Sequence, residues 1–386
     1  MSRQIRDFFI LALLTLGVTL LVWLPHLLSV QDFWGLNFSQ GFSTIYRNFD
    51  GLEYVIIAKT FYNVQAITDL HQSLPAAYFA SHFPGFSILI ALFAPFLGYL
   101  KSMLFVSVLS TILSVWAFYA LLQDFNLSDH PLFLSSLFLI LPARWLIVHS
   151  VGSSEPTFIL FIILTVYFFM KFEQSFKLPY IFLAGVFGFL AQITRPPAIL
   201  LFFALLLYVL GKLIIKRTSI PITQIISTII PLLLIPTGLL LIFYWYSISY
   251  QDFFAYFHSG DNIHLTFPPF QVFNKYQFWV GDIWLEDIVY IFILGFLGGV
   301  YLLKKKLYPL AYFVLTYLAA STLIAHRDIS RYVLPITPFV LIAFEKVLTS
   351  REFRIILPII ALAIYLYAQN FLLLNTAPIA NLNSFK

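Results

Sequence analysis

Apolar runs recur along the whole chain, at residues 8–30, 84–100, 102–122, 131–148, 157–171, 179–194, 197–211, 223–247, 288–303, 307–325, 332–346 and 355–372. A bilayer crossing takes about 20 apolar residues as a helix. Inside lipid the backbone must satisfy its own N–H and C=O groups, so unbroken apolar runs imply helices. With 61% hydrophobic and 10% charged residues, the chain cannot be a soluble globule. The expected class is therefore an all-α, polytopic integral membrane protein. The first run is too long for a signal-peptide core, and no small-x-small cleavage site follows it, so it is expected to persist as the first helix. The absence of cysteine excludes disulfides, thiolate metal sites and a cysteine nucleophile. A formal charge of +5 does not point to nucleic acid, because the basic residues sit in short clusters between apolar runs and read as orientation signals beside membrane lipids.

Cytoplasmic loops carry the excess of Lys and Arg. Arg3 and Arg6 place the start of the chain inside and the loop 31–83 outside. If 84–100 crosses fully, Lys212, Lys216, Arg217 and Lys304 to Lys306 all fall outside. If it dips in and returns, or lies at the interface, every basic cluster turns inward, including Lys171, Lys177, Lys346, Arg351 and Arg354. Pro84, Gly85, Pro95 and Gly98 suit such a broken segment. The expectation is eleven spans plus one re-entrant or interfacial helix, in a single domain over 1–386 with large outer loops at 31–83 and 248–287. Of the 22 Lys and Arg residues, 13 then lie inside. The rest, Arg47, Lys59, Lys101, Arg144, Arg195, Lys275, Arg327, Arg331 and Lys386, violate the bias, and apart from the terminal Lys386 binding an anion is one reason to keep them there.

The polar turns assigned to the outer side carry the candidate chemistry. In IYRNFDGLEY (45–54), Asp50 followed by Gly51 reads as a helix start, with the aspartate capping free backbone N–H groups. A carboxylate at the membrane surface can equally act as a general base toward an attacking hydroxyl. Both readings stand, and Glu53 is a second carboxylate nearby. SHFPGFS (81–87) sets His82 at the opening of the broken segment, and PARWLIVHSVGSSEP (142–156) surrounds a turn with Arg144, His149 and Glu155. A helix-end Arg or His is also an ordinary interfacial anchor. In ITRPP (193–197), Arg195 has no local carboxylate, so it meets an anionic ligand or pairs with Glu155 or Asp50. HRDISRY (326–332) gathers His326, Arg327, Asp328 and Arg331; if the segment is helical, the two arginines share a face and form a two-pronged phosphate site, or else a snorkelling pair. The loop 248–287 is rich in aromatics with Asp252, His258, Asp261, His264 and Asp282, suited to stacking on sugar rings or to anchoring at the interface. The spacing of His258, Asp261 and His264 matches no metal motif, so no metal or other cofactor is expected.

Taken together, FDGLEY (49–54), HFPGF (82–86), SSEP (153–156), TRPP (194–197) and RYVLP (331–335) resemble, in order and shared side, the membrane glycosyltransferases of the GT-C fold. More narrowly the chain resembles the family of the second mannosyltransferase of GPI-anchor assembly and its bacterial relatives, over most of its length. The resemblance implies transfer of a monosaccharide, typically mannose, from a polyprenyl phosphate such as dolichyl or undecaprenyl phosphate to a glycan or glycolipid acceptor. It also implies a multi-pass protein of the plasma, inner or endoplasmic reticulum membrane, active on the outer or luminal face without a nucleotide-sugar donor. Asp50 matches the family's acidic catalytic residue, although Phe49 stands where the family prefers tryptophan, and Glu53 remains an alternative. Arg195, His326, Arg327, Arg331, His82, Glu155 and Arg144 are then candidates for holding the donor phosphate and substrate. Developing charge on a lipid phosphate must be met as its bond to the sugar breaks, which is work for arginine.

Two other classes share a polytopic body and phosphate-lipid ligands. A transporter places polar sites near the midplane on broken helices, often with repeat symmetry, whereas here polar turns gather on one side and no repeat is visible. A polysaccharide polymerase or O-antigen ligase also uses outer-loop arginines, but the aspartate directly after the first span favours the monosaccharide enzyme.

Overall fold

The computed structural model describes residues 3–70, 73–216, 221–260, 265–280 and 285–377. Arg217, Asp261, His264, Asp282 and Lys386 lie outside the described residues. Within them the chain is helical, and strand pairing is limited to isolated bridges such as Asn48 with Thr376 and Leu265 with Ile324. Seven helices are long and apolar enough to cross a membrane: Gln4–Leu27, Tyr99–Asp124, Glu155–Ser175, Pro196–Ile214, Thr223–Ser249, Glu286–Lys304 and Arg351–Leu374. Four shorter apolar helices accompany them, Gly85–Leu97, Leu178–Thr194, Tyr308–Ser321 and Ile329–Ala343. This is an integral membrane protein with many crossings. Two compact units make it up, the first of Met1–Leu160, Ile242–Gly260 and Val347–Lys386, the second of Phe161–Leu241 and Asp261–Lys346.

In the first unit the opening and closing helices run parallel. Tyr365 donates its hydroxyl to the Leu21 carbonyl at 3.3 Å, Gln369 donates to Val22 at 3.0 Å, and His26 Nε2 meets Gln369 Oε1 at 3.0 Å. The Tyr99–Asp124 helix runs the other way, since Trp116 donates to the Phe8 carbonyl at 2.8 Å and the Tyr119 hydroxyl to Asp7 at 2.7 Å. One end of the unit is thus marked by Asp7. The other carries Trp23, whose indole N–H donates to the Ser150 carbonyl at 2.6 Å.

Helix Gly85–Leu97 has 13 residues, about 20 Å at 1.5 Å per residue and short of the roughly 30 Å hydrocarbon core. Its first turn packs on Tyr54, where Ser87 donates to the Tyr54 carbonyl at 2.8 Å. The next helix begins at Tyr99, with the Lys59 ammonium 5.0 Å from the Tyr99 ring. Both ends of the short helix therefore lie along Gly51–Thr60, a helix of only 10 residues, and it never reaches the Asp7 end. The helix thus begins and ends at the same end of the first unit.

The run 131–148 differs from the single span its hydropathy suggests. It folds as two seven-residue helices, Pro131–Leu137 and Ala143–His149, each too short to cross alone. Pro142 supplies no N–H and begins the second helix from an extended conformation, which breaks the helical ladder. Phe133 in the first piece lies 4.8 Å from the Arg354 guanidinium near the start of the last helix, and Ser150 after the second piece meets Trp23. The pair thus climbs from one end of the unit to the other in two steps. The buried His149 closes the break by bonding through Nε2 to the Leu139 carbonyl at 2.8 Å, a group that would otherwise be costly in an apolar surround.

In the second unit glycines set the close approach of helices. A Cβ on Gly185 would stand 2.2 Å from the Pro231 carbonyl oxygen, and one on Gly188 2.5 Å from Ile235. Small residues at a crossing let membrane helices approach at van der Waals distance, where packing supplies the attraction that water would otherwise drive. At one end Glu173 accepts from Lys212 Nζ and the Tyr208 hydroxyl, both at 2.6 Å. At the other, residues 265–270 pair with 322–324 through Thr266 N–H to Leu323 at 2.7 Å and Phe270 N–H to Thr322 at 2.6 Å. Lys171 and Lys177 share the Glu173 end of their helices, while Arg195, His326, Arg327 and Arg331 lie at the opposite end.

The absence of cysteine makes this sorting easy to test. By the orientation that the Lys and Arg distribution predicts, single cysteines at Ser39 or Lys275 are expected to react with an impermeant maleimide in sealed cells, and single cysteines at Ser175 or Lys346 only after the membrane is opened. Equal labelling of both sets before opening is the result that contradicts the orientation.

Candidate functional site

The loop that carries Asp50 is fixed from outside itself. The Arg47 guanidinium donates to the Ala377 carbonyl at 3.0 and 2.9 Å, and Ala377 N–H returns a bond to the Arg47 carbonyl at 2.7 Å. Arg47, one of the cations expected to await an anion, is instead bound to the backbone just after the last helix. Asn48 is buried and donates to the Thr44 and Leu372 carbonyls at 3.0 and 2.8 Å. Between these anchors and the Gly51–Thr60 helix, Phe49 adopts φ +48°, the left-handed region that disfavours a bulky side chain by about 1–3 kcal/mol. Its ring stacks on Phe371 with centroids 5.5 Å apart, and the Arg144 guanidinium lies 4.1 Å from the centroid of that same ring. Arg144, a candidate for substrate, thus also supports this turn.

The strained residue decides what Asp50 can do. Asp50 takes φ −90° and ψ 20°, not the extended geometry of a capping residue, and makes no side-chain cap bond. The capping role expected for it is not the one it performs. Its carboxylate is 34% exposed and lies 3.9 Å from His82 Nε2. Glu53, on the same helix, is only 7% exposed. Of the two carboxylates that the sequence leaves open, Asp50 is the more accessible to an acceptor.

His82 is 7% exposed and held on every side. Ser81 Oγ lies 2.7 Å from its Nδ1 and donates to the Tyr78 carbonyl at 2.7 Å. The His82 carbonyl accepts from Tyr62 at 2.7 Å and from Tyr246 at 3.5 Å. Burial pushes the Tyr62 phenol well above its ordinary range, so it stays a donor. The rings of Tyr54 and Tyr78 pack on the imidazole at 5.2 and 5.6 Å between centroids.

The third element is the turn before Glu155. Tyr54 and Ser154 share a hydrogen bond at 2.8 Å, and a Cβ on Gly51 would stand 2.8 Å from the Gly152 carbonyl oxygen. Glu155 is buried and opens the Glu155–Ser175 helix, where a carboxylate is favoured by the unsatisfied N–H groups of the first turn. The three motifs FDGLEY, SHFP and GSSE therefore meet in one place, where Asp50 faces His82 and Tyr54 meets both His82 and Ser154. Because backbone, not a flexible side chain, blocks a Cβ at Gly51, Gly51→Ala is expected to cost about 1–3 kcal/mol by overpacking and to displace Asp50. A thermal-unfolding midpoint equal to wild type in detergent is the outcome against it.

In the second unit Arg195 ends the Leu178–Thr194 helix in an extended conformation, as a residue before proline must. The helical condition for a shared face at 326–332 is not met. Asp328 precedes a four-residue helix, Ile329–Tyr332, so Arg327 lies before it. Arg327 is exposed and sits 5.7 Å from the Phe278 ring, whereas Arg331 is 5% exposed. His326 Nδ1 accepts from the Asp328 N–H at 3.0 Å, and its ring lies beside Trp279 and Tyr332. The two arginines are thus held in different environments, one wet and one dry.

His258 bonds through Nδ1 to Asp252 at 2.6 Å, which holds the Asp252 carboxyl below its usual range. Its suggested partners Asp261 and His264 lie outside the described residues. Among the described residues no group of three or more His, Asp or Glu could hold a metal. The sequence reading passed over Ser81, Tyr62, Tyr246 and Phe371; only Ser81, adjacent to His82, carried a local signal. No protein-family model and no curated protein matches the chain.

Proposed function

We propose that this protein is a GT-C-type glycosyltransferase that moves a monosaccharide, mannose by the resemblance, from a polyprenyl phosphate to a hydroxyl of a glycan or glycolipid acceptor, with inversion. The observation that carries this is Asp50: a half-exposed carboxylate, turned off its helix end by a strained neighbour and set beside a buried histidine at one end of the membrane helices. Strain of that kind persists where the surrounding structure holds it, and it clusters at functional sites. In this reading the Asp50 end faces the outer or luminal side of a plasma, inner or endoplasmic reticulum membrane. Eleven segments cross, with 131–149 crossing in two pieces, and Gly85–Leu97 does not.

Asp50 takes the acceptor hydroxyl proton as the oxygen attacks the anomeric carbon from the face opposite the phosphate. The carbon–phosphate-oxygen bond breaks and the lipid phosphate departs with its electron pair. Arg195, Arg327 and Arg331 keep the anion-binding role assigned on sequence, and among them a desolvated arginine such as Arg331 has the largest electrostatic effect. No metal takes part in this scheme. A panel of radiolabelled polyprenyl-phosphate sugars, incubated with membranes holding the protein and with hydroxyl acceptors, is expected to show transfer from at least one donor. Transfer from none, or from a nucleotide sugar instead, overturns the proposal.

A further inference from the structure

Residues 265–280 hold three aromatic rings out from a buried base. Trp279 and Val272 are buried, and the Trp279 indole N–H donates to the Val272 carbonyl at 2.8 Å, with its ring 6.3 Å from that of His326. Thr266 and Phe270 tie the start of the segment to residues 322 and 323. From this base Phe267, Tyr276 and Phe278 project with 87%, 84% and 80% of their surface open. A segment that buries its tryptophan and holds out two phenylalanines presents an apolar face that its own fold does not cover. Depth and charge say what does. Phe270, at φ +64°, sets its ring against Phe292 with centroids 5.4 Å apart. The apolar span Glu286–Lys304 starts at Glu286, and Phe292 lies about 9 Å along its axis from there. The segment therefore reaches down the side of a membrane helix, one turn from the exposed Val289.

Two exposed cations stand beside these rings. The Lys275 ammonium is 5.0 Å from the Tyr276 ring centroid, and the Arg327 guanidinium 5.7 Å from that of Phe278. Among the described residues neither has a carboxylate partner, and Glu286 and Asp287 in the first turn of the neighbouring span pair with neither. Aromatic rings at the edge of the acyl chains, with cations above them at the phosphates, are the arrangement of a segment lying in a membrane interface. We infer that residues 265–280 form an interfacial anchor: the rings of Phe267, Tyr276 and Phe278 lie between acyl chains and headgroups, and Lys275 and Arg327 meet the phosphates of bulk phospholipid. The occupant is the bilayer and not a sugar, because phenylalanine offers hydroxyl groups no polar handle and the depth of the segment is that of the membrane helix beside it. Arg327 meets a phosphate in glycosyl transfer as well, so Lys275, which has no part there, is the residue that separates the two.

The chain has no cysteine, so Gln277→Cys, between Tyr276 and Phe278, takes an environment-sensitive dye at one place on the full chain. In nanodiscs of phosphatidylcholine with phosphatidylglycerol, the dye is expected to be quenched by lipids carrying a nitroxide near the headgroup and shielded from aqueous iodide. The two quenchers together give the ratio of lipid-seated to water-facing dye. Lys275→Gln in the same background is expected to lower that ratio by about fivefold, the effect of one basic residue at an anionic surface. Phe278→Ser is expected to lower it by about tenfold or more, because a phenyl ring then leaves the acyl boundary. Iodide quenching as strong as for the free dye, with none by lipid nitroxide, overturns the anchor and leaves the rings to a ligand that arrives from water. Lipid quenching with a ratio unmoved by Lys275→Gln overturns the phosphate contact, and one unmoved by Phe278→Ser overturns the seating of the ring. None of these readings depends on sugar transfer, so the anchor stands or falls apart from it.

Discussion

Asp50→Asn is expected to lower sugar transfer by about 10²- to 10⁴-fold, the usual contribution of a positioned general base, while the protein inserts and accumulates as wild type does. The two halves of this expectation have separate grounds. Asp50 makes no bond to the end of its helix, and its side chain is 34% exposed, so an isosteric amide there is expected to change stability by no more than about 0.5 kcal/mol. Lost turnover in that variant would then report chemistry and not unfolding. Glu53→Gln is the necessary companion. Glu53 is 7% exposed on a helix packed against Gly85–Leu97, and its replacement is expected to lower the yield of folded protein before it alters turnover per folded molecule. Full turnover in Asp50→Asn together with loss in Glu53→Gln would pass the base to Glu53, and full turnover in both would remove this helix from the reaction.

What could be read along the chain was whatever depends on composition and near neighbours. The membrane class follows from apolar runs, and the shortness of the Gly85–Leu97 helix follows from Pro84 before it and Gly98 after it. The pairing that matters was less visible. Asp50 before Gly51 has the local signature of a cap, but its backbone is not extended and it follows the left-handed Phe49. That conformation depends on Phe371 and on residues 375–377, far along the chain, which no window around Asp50 contains. Arg47 was grouped with anion-seeking cations for the same reason, since a carbonyl of the backbone leaves no mark in sequence. In 131–148 a continuous hydropathy hid a broken helix, although Pro142 marked the break. In HRDISRY a shared face for the two arginines requires a helix throughout, but the helix begins only after Asp328, so Arg327 is exposed and Arg331 buried.

That division makes Arg331 the position with the second large effect. Arg331→Ala is expected to reduce kcat by about 10²- to 10³-fold, some 2.7 to 4 kcal/mol of barrier, with weaker use of the polyprenyl-phosphate donor and little change in acceptor dependence. A guanidinium 5% exposed acts in a medium where water does not compete, so its charge counts for more at a departing phosphate than one in solvent. Arg327 is the built-in comparison: it is exposed over Phe278, and Arg327→Ala is expected to lower kcat by less than about tenfold. Because alanine at a buried site also leaves a cavity, Arg331→Lys separates packing from charge geometry. Lysine keeps the charge but not the two-pronged donor fork, and partial recovery of turnover with lysine would mean that charge carries most of the effect. The measurement is transfer against donor concentration at saturating acceptor. Identical donor dependence in wild type and Arg331→Ala would take this arginine out of phosphate binding, and it would do so whatever the fate of Asp50.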